Sequence, residues 1–87
     1  LANHKSALKR HRQSVVRNQR NNMVRTRIKN IVKEVRSAVE ANDTDLAAST
    51  LRKATAVLDQ AATKKVIHAR TAARRISRLH AAVNKMA

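Results

Sequence analysis

The sequence predicts an all-α fold: an antiparallel three-helix bundle with a long, projecting N-terminal helix, organised as one domain over residues 1–87. Three observations predict it. The chain has no Gly and no Pro, so it has few residues for tight turns or positive φ, which argues against a hairpin-rich β fold. Its apolar residues recur at three- and four-residue steps in three separate stretches, the spacing of one face of a helix. The connections between those stretches are short, which makes neighbouring helices antiparallel.

The first helix is expected over about residues 5–41. Val24, Ile28, Ile31, Val32, Val35, Ala38 and Val39 follow helical spacing, and upstream the stripe thins to Leu8, Val15, Val16 and Met23. Nothing breaks the helix back to Lys5. At about 1.5 Å per residue it spans roughly 55 Å, more than the other helices can cover, so its first 20 or so residues project beyond the bundle. The second helix is expected over 44–64, on the stripe Leu46, Ala47, Thr50, Leu51, Ala54, Val57, Leu58, Ala61 and Ala62. Asn42 or Asp43 can cap its start. Asp43 and Asp45 suit the positive end of the helix dipole, and Lys64 and Lys65 suit the negative end. A turn near Lys65–Ile67 leads to a third helix over 68–86, on Ala72, Ile76, Leu79, Val83 and Met86.

Charge decides the class of partner. The formal net charge is +15, from 20 Lys and Arg against 5 Asp and Glu. Self-repulsion of that size is relieved by a polyanion, and binding through phosphates releases counterions and depends steeply on salt. Residues 1–33 hold ten Lys or Arg and no acid, residues 42–59 two basic and three acidic residues, and residues 60–87 seven basic residues and no acid. Two RNA-facing stretches thus flank a segment that mainly builds the core. Phe, Tyr and Trp are absent, which excludes base stacking on aromatic platforms. An aliphatic core of this size is thin, so stability without the partner is expected to be marginal. No Cys is present, so neither a disulfide framework nor a thiolate metal site is available, and the cytosol is the default compartment. No apolar run spans a membrane, and the basic N-terminus lacks the apolar stretch of a secretory signal.

On the first helix Lys9, Arg10, Arg12, Arg17, Arg20, Arg25, Arg27, Lys29 and Lys33 cover most of the circumference outside the apolar stripe. Charge on several sides suits a helix inserted among several RNA segments. On the third helix Arg70, Arg74 and Arg78 are spaced by four with Arg75 beside them. Like charges at that spacing repel, and phosphates between them remove the penalty. A solvated basic face is the alternative, but a self-sufficient surface helix usually interleaves acids. Arg outnumbers Lys, and its planar fork suits bidentate phosphate contacts. Asn3, Asn18, Asn21, Asn22 and Asn30 either bond to ribose 2′-OH groups and base edges or are simply solvated. His4 and His11 lie seven apart without a third ligand, so no metal is expected. His68, at the turn before the third helix, serves as a structural cap or as a phosphate contact. No nucleophile, paired-carboxylate site or Gly-rich phosphate loop occurs, so no enzyme, cofactor or small-molecule substrate is expected.

The opening Ala2-Asn3-His4-Lys5-Ser6-Ala7-Leu8-Lys9-Arg10 resembles the A-N-x-K-S-A-x-K-R start of the bacterial small-subunit ribosomal protein S-twenty family. Leu58-Asp59-Gln60-Ala61-Ala62-Thr63-Lys64-Lys65-Val66-Ile67-His68 resembles its L-D-x-A-A-x-K-G-x-I-H segment, and Thr71-Ala72-Ala73-Arg74 and Ser77-Arg78-Leu79 its T-A-A-R…S-R-L ending. The resemblance covers essentially the whole chain. It implies a three-helix bundle bound directly to 16S ribosomal RNA, at the 5′ domain and the long helix near the 3′ end, with the first helix reaching into the RNA. It further implies a cytoplasmic, ribosomal location among other small-subunit components, with no membrane and no homo-oligomer. By match to the motifs, Asn3, Lys5, Ser6, Lys9 and Arg10 are implied RNA contacts, as are Lys64, His68 and Arg74. With Arg12, Arg17, Arg20, Arg25, Lys29, Lys65, Arg70, Arg75 and Arg78 they make up the expected RNA-binding set. The family usually has Gly at the position of Lys65, often Gly at that of Asn42 and commonly Asn at that of Arg70. Asn tolerates the left-handed conformation, whereas Lys65 there costs on the order of 1 kcal/mol, or else the turn differs.

Two other functions fit the composition: a nucleoid-associated DNA-binding protein and a membrane-surface amphipathic helix. The first lacks an obvious recognition helix or minor-groove wedge, and the second lacks bulky interfacial anchors.

Overall fold

The computed structural model describes residues 2–86, with side chains from Lys5 to Met86. It contains three helices, α1 (Ala2–Glu40), α2 (Thr44–Thr63) and α3 (Ala69–Asn84), and no strand among the described residues. The molecule is a rod of 66 × 21 × 13 Å. The 39 residues of α1 account for about 58 Å of that length at 1.5 Å per residue, whereas the 20 of α2 reach only about 30 Å. α1 therefore overhangs. α2 packs against both other helices, and α1 and α3 touch only slightly.

Burial follows the periodicity. On α1 the buried residues are Ile28, Ile31, Val35 and Ala38, with Val24 and Val32 half-buried beside them. On α2 Ala47, Ala54 and Ala61 repeat every seven residues, alternating with Leu51 and Leu58 on the same arc. Small residues at one register of a heptad let the neighbouring helix approach closely, and Leu fills the other. α3 contributes Ala72 and Leu79, flanked by half-buried Ile76 and Val83. Thr50, the one buried polar side chain among the described residues, donates its hydroxyl to the Leu46 carbonyl at 2.8 Å and the Ala47 carbonyl at 3.2 Å. Among the described residues no buried side-chain oxygen or nitrogen lacks a partner.

Five residues expected on the stripes lie elsewhere: Leu46 on α2, and Leu8, Val15, Val16 and Met23 on α1. Leu46 is 48% exposed, because it sits at the margin of the α2 arc in the first turn. Its backbone is used instead, accepting from Ser49 and Thr50 and donating to Asp43. Met23 is 73% exposed. It belongs, with Leu8, Val15 and Val16, to a separate apolar strip. At roughly 100° per residue, that strip is turned about 150° from the core stripe. The two stripes of α1 lie on nearly opposite faces.

Both turns end their helices in the same way. Asn42 has φ 55° and Lys65 φ 62°. After α1, the Asn42 N–H donates to the Val39 carbonyl and the Asp43 N–H to the Ala38 carbonyl, each at 3.0 Å. After α2, the Lys65 N–H donates to Ala62 at 3.0 Å and the Val66 N–H to Ala61 at 2.9 Å. This is the Schellman arrangement, which places its central residue in the left-handed region. Lys65 thus occupies a left-handed position without being Gly, and the turn keeps its form. Val66 packs half-buried on the core, the apolar contact that accompanies such a turn. Asp43, rather than Asn42, caps α2, its carboxylate accepting from the Leu46 N–H at 3.1 Å. One residue therefore closes α1 and opens α2.

Candidate nucleic-acid interface

From Lys5 to Arg20 every side chain of α1 is exposed, because α2 ends before it can cover them. This overhang holds six Lys or Arg and no acid. Lys5, Lys9, Arg10, Arg12, Arg17 and Arg20 point in several directions around the helix, and Ser6 lies among them. A helix wet on every side gains nothing from lone cations except through an outside polyanion. Arg25 and Lys29 are exposed farther along α1, beside the bundle. Asn3 lies outside the residues whose side chains are described.

The bundle-facing side of α1 changes chemistry at the point where α2 stops. Ala38, Ile31, Val24, Arg17 and Arg10 follow one another at seven-residue steps, two turns apart and on nearly one line. The first three face the core, and the line then turns cationic. Opposite that change lies the α2–α3 turn. Arg17 and Arg20 from the overhang and Lys64 and Lys65 from the turn line one groove, floored by Val24 and Val66. Asn21, half-buried, completes its α1 wall. The heptad line was visible in the sequence, but its meeting with the turn depends on the length of α2 relative to α1.

Of the two roles expected for His68, the structure shows the cap. His68 caps α3, with φ −70° and ψ 145°, and its Nδ1 accepts from the Arg70 N–H at 3.1 Å. In a neutral imidazole an accepting Nδ1 leaves the proton on Nε2. The exposed ring thus keeps a donor for a second partner. Arg70, Arg74, Arg75 and Arg78 are all exposed on α3, with Arg70, Arg74 and Arg78 in one row away from the Ala72–Leu79 seam. They form a second cationic face, separate from the groove of Arg17 and Lys65. No helix is long and apolar enough to cross a membrane among the described residues.

A different groove between α1 and α2 is lined by Met23, Thr26, Asn30, Val57 and Gln60, with Arg27, Glu34 and Lys53 at its edges. Its mixed charges set it apart from the purely cationic corner.

Comparison with known proteins gives one family throughout. Residues 2–84 match the family described as Ribosomal protein S20. A small ribosomal subunit protein bS20 from Maridesulfovibrio salexigens is 86% identical over 87 residues, covering all of both chains. The protein of the same name from Nitratidesulfovibrio vulgaris (strain DP4) is 60% identical, again over both full lengths. That of Magnetococcus marinus is 49% identical over 100% of this chain and 95% of the relative. These full-length matches, on a basic three-helix rod, lead to one conclusion: the chain belongs to the ribosomal protein S20 family, a structural, non-enzymatic component of the small ribosomal subunit.

Proposed function

We propose that the whole chain, residues 1–87, acts as one unit that binds 16S ribosomal RNA directly and stabilises its tertiary fold by phosphate neutralisation. The observation that carries this is the overhang of α1, cationic on several sides, free of acids and covered by nothing in the bundle. A helix of that kind suits insertion between RNA segments, and a duplex lying along one side would leave half of its charge unused. Shape and 2′-OH contacts fit such a surface better than base stacking, for which the chain has no aromatic ring. Lys5, Ser6, Lys9, Arg10, Arg12, Arg17 and Arg20 engage RNA from the overhang, together with Asn3. Arg25 and Lys29 act beside the bundle, Lys64, Lys65 and His68 at the turn, and Arg70, Arg74, Arg75 and Arg78 from α3. The family resemblance supports the 5′ domain and the long helix near the 3′ end as the segments bridged.

Competition tests this. At about 150 mM salt, unlabelled 16S transcript is expected to displace labelled 16S transcript from the chain far better than duplex DNA of equal length. Equal or better displacement by the DNA overturns the proposal and favours a nucleoid protein.

A further inference from the structure

Arg17, Arg20, Lys64 and Lys65 meet in one inside corner, between the overhang of α1 and the α2–α3 turn. No acid lines it. Val24 and Val66, both packed against the core, form its floor, so the corner where its two walls meet is held by the bundle. Lys65 enters it from a left-handed backbone, φ 62°. A β-carbon is disfavoured in that region, and strain of this kind points to function when it lies at a charged site.

We propose that this corner is a phosphate-binding cradle that grips the sugar–phosphate backbone of one RNA strand at two adjacent phosphates. Arg17 and Arg20 take one side of the strand and Lys64 and Lys65 the other. The inference rests on the RNA-binding function above and adds a particular site to it. Two walls from elements distant in sequence make the cradle sensitive to backbone path: a strand must cross the angle between α1 and the turn to touch both. Arg supplies the planar fork for bidentate contact, and Lys the compact point charge. The Schellman hydrogen bonds of Lys65 and Val66 fix the direction in which the Lys65 side chain leaves the turn. The Lys65 side chain therefore starts out along a fixed Cα–Cβ direction, and its flexible stem lets the ammonium settle on a phosphate. This is one account of why a cation occupies a backbone position that favours Gly.

The test uses the full chain and a 16S transcript, with binding followed as a function of salt. Lys65→Asn keeps a residue tolerant of the left-handed region and removes the charge. It is expected to leave the far-UV spectrum and melting curve of the free protein intact and to reduce the slope of log K against log salt by about 1. Lys65→Arg is expected to restore the slope. Arg17→Gln with Arg20→Gln should lower it further, and adding Lys65→Asn to that pair should have less effect than Lys65→Asn alone, because the shared phosphates are already lost. If the unaltered chain binds steeply and Lys65→Asn matches it in slope and affinity, the cradle is wrong and RNA binding stands. If the unaltered chain does not bind the transcript, the parent proposal fails and the cradle with it.

Discussion

The Nδ1 of His68 accepts a hydrogen bond from the main-chain N–H of Arg70 at 3.1 Å, so a ring at the edge of a cationic face is also the cap of the helix that carries that face. The two roles separate by substitution. His68→Asp preserves a side-chain acceptor for the free N–H groups at the helix start, where a carboxylate also suits the dipole. Its chemical-denaturation midpoint should stay at or above that of the parent, while affinity for RNA falls. His68→Ala should lose about 1 kcal/mol of stability as well. A loss of stability in the Asp variant as large as in the Ala variant would contradict the capping role.

Leu58 has no exposed surface and packs into the core from the C-terminal half of α2. Removing its side chain should cost about 2–5 kcal/mol. A core of this size rarely supplies more than about 3–5 kcal/mol in total, so the Leu58→Ala protein should be largely unfolded when free. Circular dichroism on the free protein and after addition of RNA checks both halves, because a ligand that binds only the folded state restores it by mass action.

Lys65 and Asn42 share a left-handed backbone, but their side chains do not tolerate it equally. Lys65→Gly should raise the stability of the free protein by on the order of 1 kcal/mol, and Asn42→Gly by less. Urea denaturation of the two variants side by side decides the order.

Arg74 and Arg78 stand one turn apart on the exposed side of α3, with like charge at a spacing that repels. Replacing both with Ala should weaken RNA binding and flatten its salt dependence by about 2, with helicity unchanged. A salt titration with an unchanged slope would assign these residues to solvent.

The helices were legible in the sequence because their apolar steps are long and regular. Ile28 to Ala38 and Ala47 to Ala61 each keep one face over several turns, and no Gly or Pro interrupts them. The turns were legible in outline: Asp43 has the chemistry of a cap, and Asn42 that of a left-handed residue. Lys65 left two outcomes open, since its side chain opposes the conformation that the local hydrogen bonds impose. The upstream residues Leu8, Val15, Val16 and Met23 read as a thinning of the core stripe, because three- and four-residue steps alone do not fix absolute direction over 16 residues. The corner of Arg17, Arg20, Lys64 and Lys65 joins residues more than 40 apart, and it follows from how far α2 reaches along α1, a tertiary fact.

Phosphate neutralisation by a preformed cationic rod is the central proposal. The most direct measurement is the affinity of the unaltered chain for a 16S transcript between about 50 mM and 1 M salt. At about 0.7 to 0.9 per phosphate, the values for single strands and for B-form DNA, contacts from the overhang, the turn and α3 together predict a steep linear fall of log K, with binding lost near 1 M. A nearly flat line, with tight binding kept at 1 M salt, would contradict it.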